Sequence, residues 1–320
     1  MSIGAPQPGR SAARGRTARV AGYLWARFGP GDLVGTTAFS LAAQAGGAAL
    51  ARPGPLPLTP GMAAGVGAGV LLALYLRVAD DLKDWETDRA LAEGGDARFC
   101  DRPQVTGDVT EPDLRALRVA VAALFGLLLA LVPPAAVPLG GLSFVGAWLS
   151  ARWFFHPAMA RSLPLAFVTH NPLALLFLGF AASVGAGAAG ATPPALPTAA
   201  LLFGLYLPIA AWEIARKVRT PEEETSYQTW SSVLGWRVAA AVPGVLTLAS
   251  AALLAFAGRG AVVGRGYVLL LAAAVLLPVA AGVTYLSRPS PSHGRWLRPA
   301  VEGYALVAGL GLLLFALVGR

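Results

Sequence analysis

Apolar stretches, each close to the length that a helix needs to cross a bilayer, recur from one end of this chain to the other. A spanning helix needs about 20 mostly apolar residues. Nine stretches meet that length: 32–51, 61–79, 114–132, 135–154, 165–187, 196–213, 237–257, 266–286 and 299–319. Pro133-Pro134 makes a tight turn between the third and fourth. The first is the weakest, rich in Ala and Gly with Gln44 inside it. Small residues throughout suit close helix packing in lipid. The pattern predicts an all-α, multi-pass membrane protein, with one transmembrane domain over 32–320. A basic tail, 1–31, precedes it and ends in a short amphipathic or interfacial helix near Tyr23–Phe28.

Composition sharpens this. The chain is 56% hydrophobic and only 13% charged, against about 25% charged in a soluble domain. The net charge of +8 would suggest nucleic acid in a soluble protein. Here the positive-inside rule accounts for it, so no nucleic-acid partner is expected. With the amino terminus in the cytoplasm, only Arg52, Arg259, Arg265 and Arg320 of the 25 basic residues fall outside the tail, the cytoplasmic loops and the adjoining helix ends. Nine spans then place the carboxyl terminus outside, in a protein of the cell's cytoplasmic membrane. Of the 17 acids, only Asp32 and Glu302 lie outside 80–113 and 213–224. Both segments are cytoplasmic loops in this topology, so function is expected on that face. The lone Cys100 excludes an intrachain disulfide. The sequence contains no Gly-rich nucleotide loop, serine-nucleophile motif or metal-thiolate spacing. It gives no sign of an obligate protein partner.

Chemistry concentrates in Asp80-Asp81-Leu82-Lys83-Asp84-Trp85-Glu86-Thr87-Asp88. On a helix Asp81, Asp84 and Asp88 share one face, and Asp80 lies one turn before Asp84. Clustered carboxylates repel unless a cation sits among them, and hard oxygens that leave room for phosphates are what Mg²⁺ uses. The alternative is a solvated charge run at a membrane surface. Arg102 follows and is suited to gripping an anion; the alternative is an ordinary positive-inside arginine. Thr169-His170-Asn171-Pro172 opens or interrupts the fifth span. An ionisable group there is a functional candidate. His170 either accepts a proton or satisfies backbone freed by Pro172. Asn171 beside it is a candidate substrate contact. No second histidine lies near, which argues against zinc. His293, with Arg288, Arg295 and Arg298, reads as surface.

The Asp80–Asp88 run resembles the first aspartate-rich motif of the UbiA superfamily of membrane prenyltransferases, Asn-Asp-x-x-Asp-x-x-x-Asp, with Asp80 where Asn is usual. Arg102-Pro103 and Gly107 resemble that family's Arg-Pro-x-x-x-Gly continuation. The resemblance implies nine helices around a central cavity and Mg²⁺ held by two aspartate motifs on an isoprenoid diphosphate. It also implies ionisation of the allylic bond and capture of the prenyl cation by an acceptor. Asp80, Asp81, Asp84 and Asp88 would then be the first metal set. The second motif departs from the family's Asp-x-x-x-Asp: Glu213 stands for the first aspartate and Lys217 for the second. Thr229 to Gly235 resembles the family's Thr-x-x-x-x-x-Gly ending. Arg216, Lys217 and Arg219 either hold the diphosphate directly or are positive-inside charges, and Glu213 with Lys217 also has the spacing of a structural ion pair. Glu222 to Glu224 read as a solvated cap. Phe155-His156-Pro157 to Arg161 resembles the family's Tyr-Pro-x-x-Lys-Arg region, with Arg161 retained as a phosphate contact. Trp148, Trp153, Phe154, Phe155, Phe177, Tyr206 and Trp212 either line the cavity, where aromatic faces stabilise cations, or form the interfacial belt.

The leading reading is prenyl transfer from an isoprenoid diphosphate, with Mg²⁺ as cofactor, to an acceptor that the sequence does not identify. A terpene cyclase needs the same first motif but no acceptor. A cation transporter needs a polar path, and only Thr169, His170 and Asn171 enter the apolar spans deeply; a non-catalytic relative on the same fold is the remaining alternative. Cysteine labelling of a cysteine-free variant is expected to place positions 95 and 225 on the cytoplasmic side and position 190 outside; the reverse pattern overturns the topology.

Overall fold

A computed structural model of the chain describes residues 15–152, 157–224, 228–260 and 264–318. The first part of the basic tail, Trp153, Phe154, Phe155, His156 and Arg320 lie outside the described residues. Every regular element among the described residues is helical. In chain order they are α1 (Arg16–Arg27), α2 (Pro30–Ala51), α3 (Pro60–Lys83), α4 (Trp85–Glu93), α5 (Ala97–Cys100), α6 (Pro103–Thr106), α7 (Glu111–Leu129) and α8 (Val137–Ala151). There follow α9 (Leu163–His170), α10 (Leu173–Ala189), α11 (Ala195–Ala215), α12 (Trp230–Leu234), α13 (Trp236–Gly260), α14 (Arg265–Ala274), α15 (Leu276–Ser287) and α16 (Pro291–Val318).

Eight segments among the described residues are long and apolar enough to cross a membrane, α9–α10 and α14–α15 each counting as one. The expected nine are therefore not all matched. The predicted third span, 114–132, falls on α7, whose first two turns carry Glu111, Asp113, Arg115 and Arg118. Those charges place the start of α7 in the polar zone. Its entry is fixed by a capping box, in which the Thr110 hydroxyl accepts from the Asp113 amide and the Asp113 carboxylate accepts from the Thr110 amide. Such reciprocal capping satisfies amides that have no partner inside the helix.

The chain divides into two compact units. The first comprises residues 1–37, 67–130 and 144–154. Leu72 and Leu114 are fully buried in it, and Phe144 packs against Tyr75 and Phe125 with ring centroids 5.0 and 5.3 Å apart. The second comprises residues 38–66, 131–143 and 155–320. Its core is drawn from α11, α13, α14 and α16, with Leu205, Leu254, Tyr267, Tyr304 and Leu312 buried. Exposed Leu269, Leu276, Leu310 and Leu314 present the apolar outer surface that lipid requires. A cavity of about 310 Å³ in this unit is lined by alanines of α2 and α10 and by Arg52–Pro57, far in sequence from every candidate site residue.

Within the second unit α2 and α10 approach backbone to backbone. A Cβ on Gly47 would lie 2.1 Å from the Ala182 carbonyl oxygen, and one on Gly185 would lie 1.8 Å from that of Gln44. Only glycine permits this contact, which replaces the hydrophobic drive that lipid removes. Gly185→Ala is expected to force the helices apart and cost about 1–3 kcal/mol or more, read as a lowered melting temperature in detergent. Gly126→Ala, which meets nothing within 4 Å, is the neutral control.

Candidate functional site

The aspartate run does not form one uninterrupted helix. α3 ends at Lys83, Asp84 adopts φ −91° and ψ 6°, and α4 begins at Trp85. The turn is nevertheless carried across, since the Asp84 amide donates to the Asp80 carbonyl and the Asp88 amide to the Asp84 carbonyl, each at 2.8 Å. The four carboxylates then go separate ways.

Asp81 is 2% exposed and accepts three hydrogen bonds. The Arg27 guanidinium gives two, Nε to Oδ2 at 2.9 Å and Nη2 to Oδ1 at 2.5 Å, and the Tyr23 hydroxyl adds a third to Oδ2 at 2.8 Å. Asp88, also 2% exposed, accepts from Arg102 Nη1 and, at 2.9 Å, from Gln104 Nε2. The Arg-Pro-x-x-x-Gly sequence explains how. Pro103 opens the single turn α6 with its ring already set for helix, and Gly107 closes it at φ 77°. That turn directs Arg102, the residue before it, and Gln104 within it toward Asp88. The Arg102 guanidinium also lies 4.3 Å from the centre of the Phe99 ring.

Asp80 and Asp84 remain open, with side chains 46% and 39% exposed. The Lys83 ammonium lies between them, 3.0 Å from Asp80 and 3.8 Å from Asp84. Partial burial, and the nearby Asp80, Asp88 and Asp81 charges, push the Asp84 carboxyl up to about 6 against the opposing pull of Lys83. Among the described residues no three His, Cys, Asp or Glu side chains are grouped to hold a metal ion. The expected four-carboxylate set is not assembled, because arginines occupy two of its members. Asp80 and Asp84 are the two more exposed members of the run, and the Lys83 ammonium occupies the space between them.

α1 belongs to the same unit. Arg19, Tyr23 and Arg27 recur every four residues and so share one face. Arg19 clamps Asp113 with bonds of 2.7 and 3.0 Å, and Arg16 lies 3.4 Å from the same carboxylate. Trp25, 74% exposed, suits the interfacial helix that the sequence predicts.

The second motif lies at the end of α11. Glu213 accepts from Arg216 at 2.6 and 2.7 Å and pairs with Lys217 at 3.1 Å, so the structural ion pair is present. The neighbouring Trp212 donates its indole N–H to Glu302 at 2.7 Å, with Arg216 and Arg298 over its ring at 5.3 and 5.4 Å. Arg298 also donates to Glu302, so this part of the 288–298 segment reaches the motif. Glu223 caps Thr220, and Glu224 accepts from the Thr229 hydroxyl at 2.7 Å. Thr229 caps α12, and Gly235 leaves it at φ 78°. The Thr-to-Gly spacing is thus a helix start and stop.

His170 ends α9, Asn171 follows, and Pro172 precedes α10, so these three residues interrupt the fifth span. The Thr169 hydroxyl donates to the Leu165 carbonyl at 2.7 Å and lies 3.0 Å from His170 Nδ1. Asn171 Oδ1 is buried with no hydrogen-bond partner among the described residues. Arg161 is exposed on the turn before α9. Of the aromatic candidates, Tyr206 is buried in the second unit's core, whereas Trp148 is 42% exposed under Arg152.

Sequence reasoning missed Tyr23, Arg27, Gln104 and the Arg19–Asp113 pair. The four-residue spacing of Arg19, Tyr23 and Arg27 was the available signal; it names a face but not what meets it. Arg19 first, and Thr110 next, lower the Asp113 carboxyl to about 2, from an ordinary value of about 3.9. A lowered folded value means that the clamp stabilises above about pH 4 and is lost as pH falls toward about 2. Asp113→Asn is expected to lower the melting temperature at neutral pH and to reduce its fall between about pH 5 and pH 3. An unchanged pH profile would show that the clamp carries no stability.

No protein-family model and no curated protein sequence matches the chain. Solved structures do. A digeranylgeranylglyceryl phosphate synthase superposes with TM-score 0.65 at 14% identity, covering 94% of this chain and 99% of that one. A UbiA homologue from Aeropyrum pernix K1 gives 0.61 at 18% identity, covering 88% and 97%. A UbiA homologue from Archaeoglobus fulgidus, bound to GPP and Mg²⁺, gives 0.56 at 16%, covering 92% and 98%. At these identities the likeness is one of fold, and the chain has the fold of the UbiA superfamily.

Proposed function

We propose that the protein is an intramembrane prenyltransferase that moves a prenyl group from an isoprenoid diphosphate to an acceptor. The observation that carries this reading is the open Asp80/Asp84 pair bridged by an ammonium at the end of α3, in a chain with the fold of proteins that bind GPP or DMAPP with Mg²⁺. Asp80 and Asp84 would hold Mg²⁺, which when bound offsets the charge that develops on the leaving diphosphate.

The chain's own residues supply the rest. Asp81 and Asp88, each neutralised by an arginine, add little negative charge to repel an incoming diphosphate. In the second unit Glu213 is shared by Arg216 and Lys217. One carboxylate cannot neutralise two cations, so an excess of positive charge remains to meet phosphate oxygens. Arg161, exposed, is a further phosphate contact. The allylic carbon–oxygen bond breaks, its electrons leave with the diphosphate, and the acceptor's nucleophilic atom closes on the prenyl carbon. The acceptor then sheds its proton, for which His170 is the candidate base. Asn171 Oδ1 is free to accept a hydrogen bond from the acceptor.

Diphosphate release is the test, with purified protein in nanodiscs and geranyl, farnesyl and geranylgeranyl diphosphates, with and without Mg²⁺ and a mixed acceptor pool. Release that requires both Mg²⁺ and an acceptor is the expected result. Release without an acceptor, yielding a hydrocarbon, would replace transfer by cyclisation; no release from any donor sinks the enzymatic reading. Asp84→Asn is expected to lower Mg²⁺-dependent turnover on the order of a hundredfold. Lys217→Ala is expected to raise KM for the diphosphate, and an unchanged KM rejects that contact.

A further inference from the structure

Three spans of the second unit end around one cavity. α2 ends at Ala51, α10 at Ala189 and α16 at Val318. A space of about 310 Å³ lies among Ala48, Ala49, Ala188, Ala189, Ala316 and the Arg52–Pro57 segment. Small-ligand pockets begin at about that size, roughly 300 Å³. The alanines leave the space open, and the backbone contact of α2 with α10 at Gly47 and Gly185 stops these helices from closing on it. Pro53, Pro55 and Pro57 fix their own φ and carry no amide proton, so the segment is stiff and offers few donors. Among the lining residues Arg52 alone is charged. Its amide closes α2 on the Ala48 carbonyl at 2.9 Å, whereas no hydrogen bond or ion pair among the described residues engages its guanidinium. The acids of the lining helices are out of reach. No Asp or Glu lies between Asp32 and Asp80, between Asp113 and Glu213, or after Glu302. Asp32 stands about 30 Å down α2 from Arg52, and Glu302 about 21 Å down α16 from Ala316.

We propose that this cavity binds an anionic phospholipid of the surrounding bilayer, with its phosphate on Arg52 and the start of its chains against the alanine walls. Charge complementarity selects the headgroup, since a guanidinium matches phosphate oxygens with paired donors. Depth agrees. Arg52 stands one residue past the end of an apolar span, the level at which the hydrocarbon gives way to headgroups. Basic pockets between spans are where anionic head groups are held. Leu58, in the same connection, is exposed, and an apolar side chain there suits lipid better than water. A free phosphate would find one guanidinium and no second polar side chain, because alanine offers none; an amphiphile fills both parts of the cavity. The site stands apart from the aspartate run and from the second motif, and it needs neither a metal nor prenyl transfer.

The full chain, purified in detergent, is titrated with phosphatidylglycerol or with phosphatidylcholine of the same chain length, and bound lipid is counted by native mass spectrometry. Phosphatidylglycerol is expected to bind about fivefold more tightly. Arg52→Ala is expected to reduce that preference to less than about twofold. Ala189→Phe fills the cavity and leaves Arg52 in place; it is expected to weaken phosphatidylglycerol binding by about fivefold or more. Arg259→Ala removes an exposed cation that does not line the cavity, and is expected to leave the affinity within about twofold. A preference that survives Arg52→Ala, or that falls equally in Arg259→Ala, overturns the proposal. Displacement of phosphatidylglycerol by excess inorganic phosphate would make this a free-anion site and overturns the lipid assignment. Should Ala189→Phe fail to fold, by size-exclusion chromatography, the two arginine variants decide.

Discussion

A carboxylate taken out of water must have a cation or several donors beside it, and the first unit is organised by that demand. Desolvating an ion costs several kcal/mol, far more than a helix propensity or a surface pair returns. Asp81, Asp88 and Asp113 are all 3% exposed or less, and each has drawn an arginine. Arg27 and Arg19 come from α1, more than 50 residues earlier in the chain, whereas Arg102 comes from the next short turn. The position of α1 on this unit, the entry of α7 and the path of the 102–107 turn all follow from satisfying these three acids. Asp80 and Asp84, which stay in contact with solvent, share the Lys83 ammonium instead.

The second unit relies on a different constraint. Lipid tails are as apolar as leucine, so its helices gain little by hiding apolar surface from one another. They gain by close approach and by buried hydrogen bonds. Gly47 and Gly185 bring two backbones together. The Tyr304 hydroxyl donates to Ser250 Oγ at 2.8 Å, and Ser250 donates to the Gly204 carbonyl at 2.5 Å, tying α16, α13 and α11. Polar ends are handled by capping, at Thr220 with Glu223 and at Thr229 with Ser232. Glu223 and Glu224, which the sequence suggests as a solvated cap, are spent on holding these turns.

What the sequence made legible was local. Apolar runs located the spans, and the Arg102-Pro103…Gly107 spacing was legible only as a resemblance, without the short turn that Pro103 opens and Gly107 closes. The interruption at Asp84 was not legible, since the helical spacing of the aspartates passes through it without a proline or glycine. Nor was the fate of Asp81: periodicity ranked it with Asp84 as a metal ligand, while its partners Tyr23 and Arg27 are set by tertiary contact. In α7 the apolar pattern runs from Leu114 onward, while its first two turns carry Glu111, Asp113, Arg115 and Arg118.

The departures from the family's pattern follow one electrostatic rule. Where a second carboxylate would stand, Lys217 does, and it shares Glu213 with Arg216. A metal-binding pair of carboxylates needs cations supplied from solution before it can attract a diphosphate. A lysine and an arginine around one glutamate already carry excess positive charge, and guanidinium and ammonium groups contact phosphate oxygens directly. Such a cation needs no ion concentration to keep it in place.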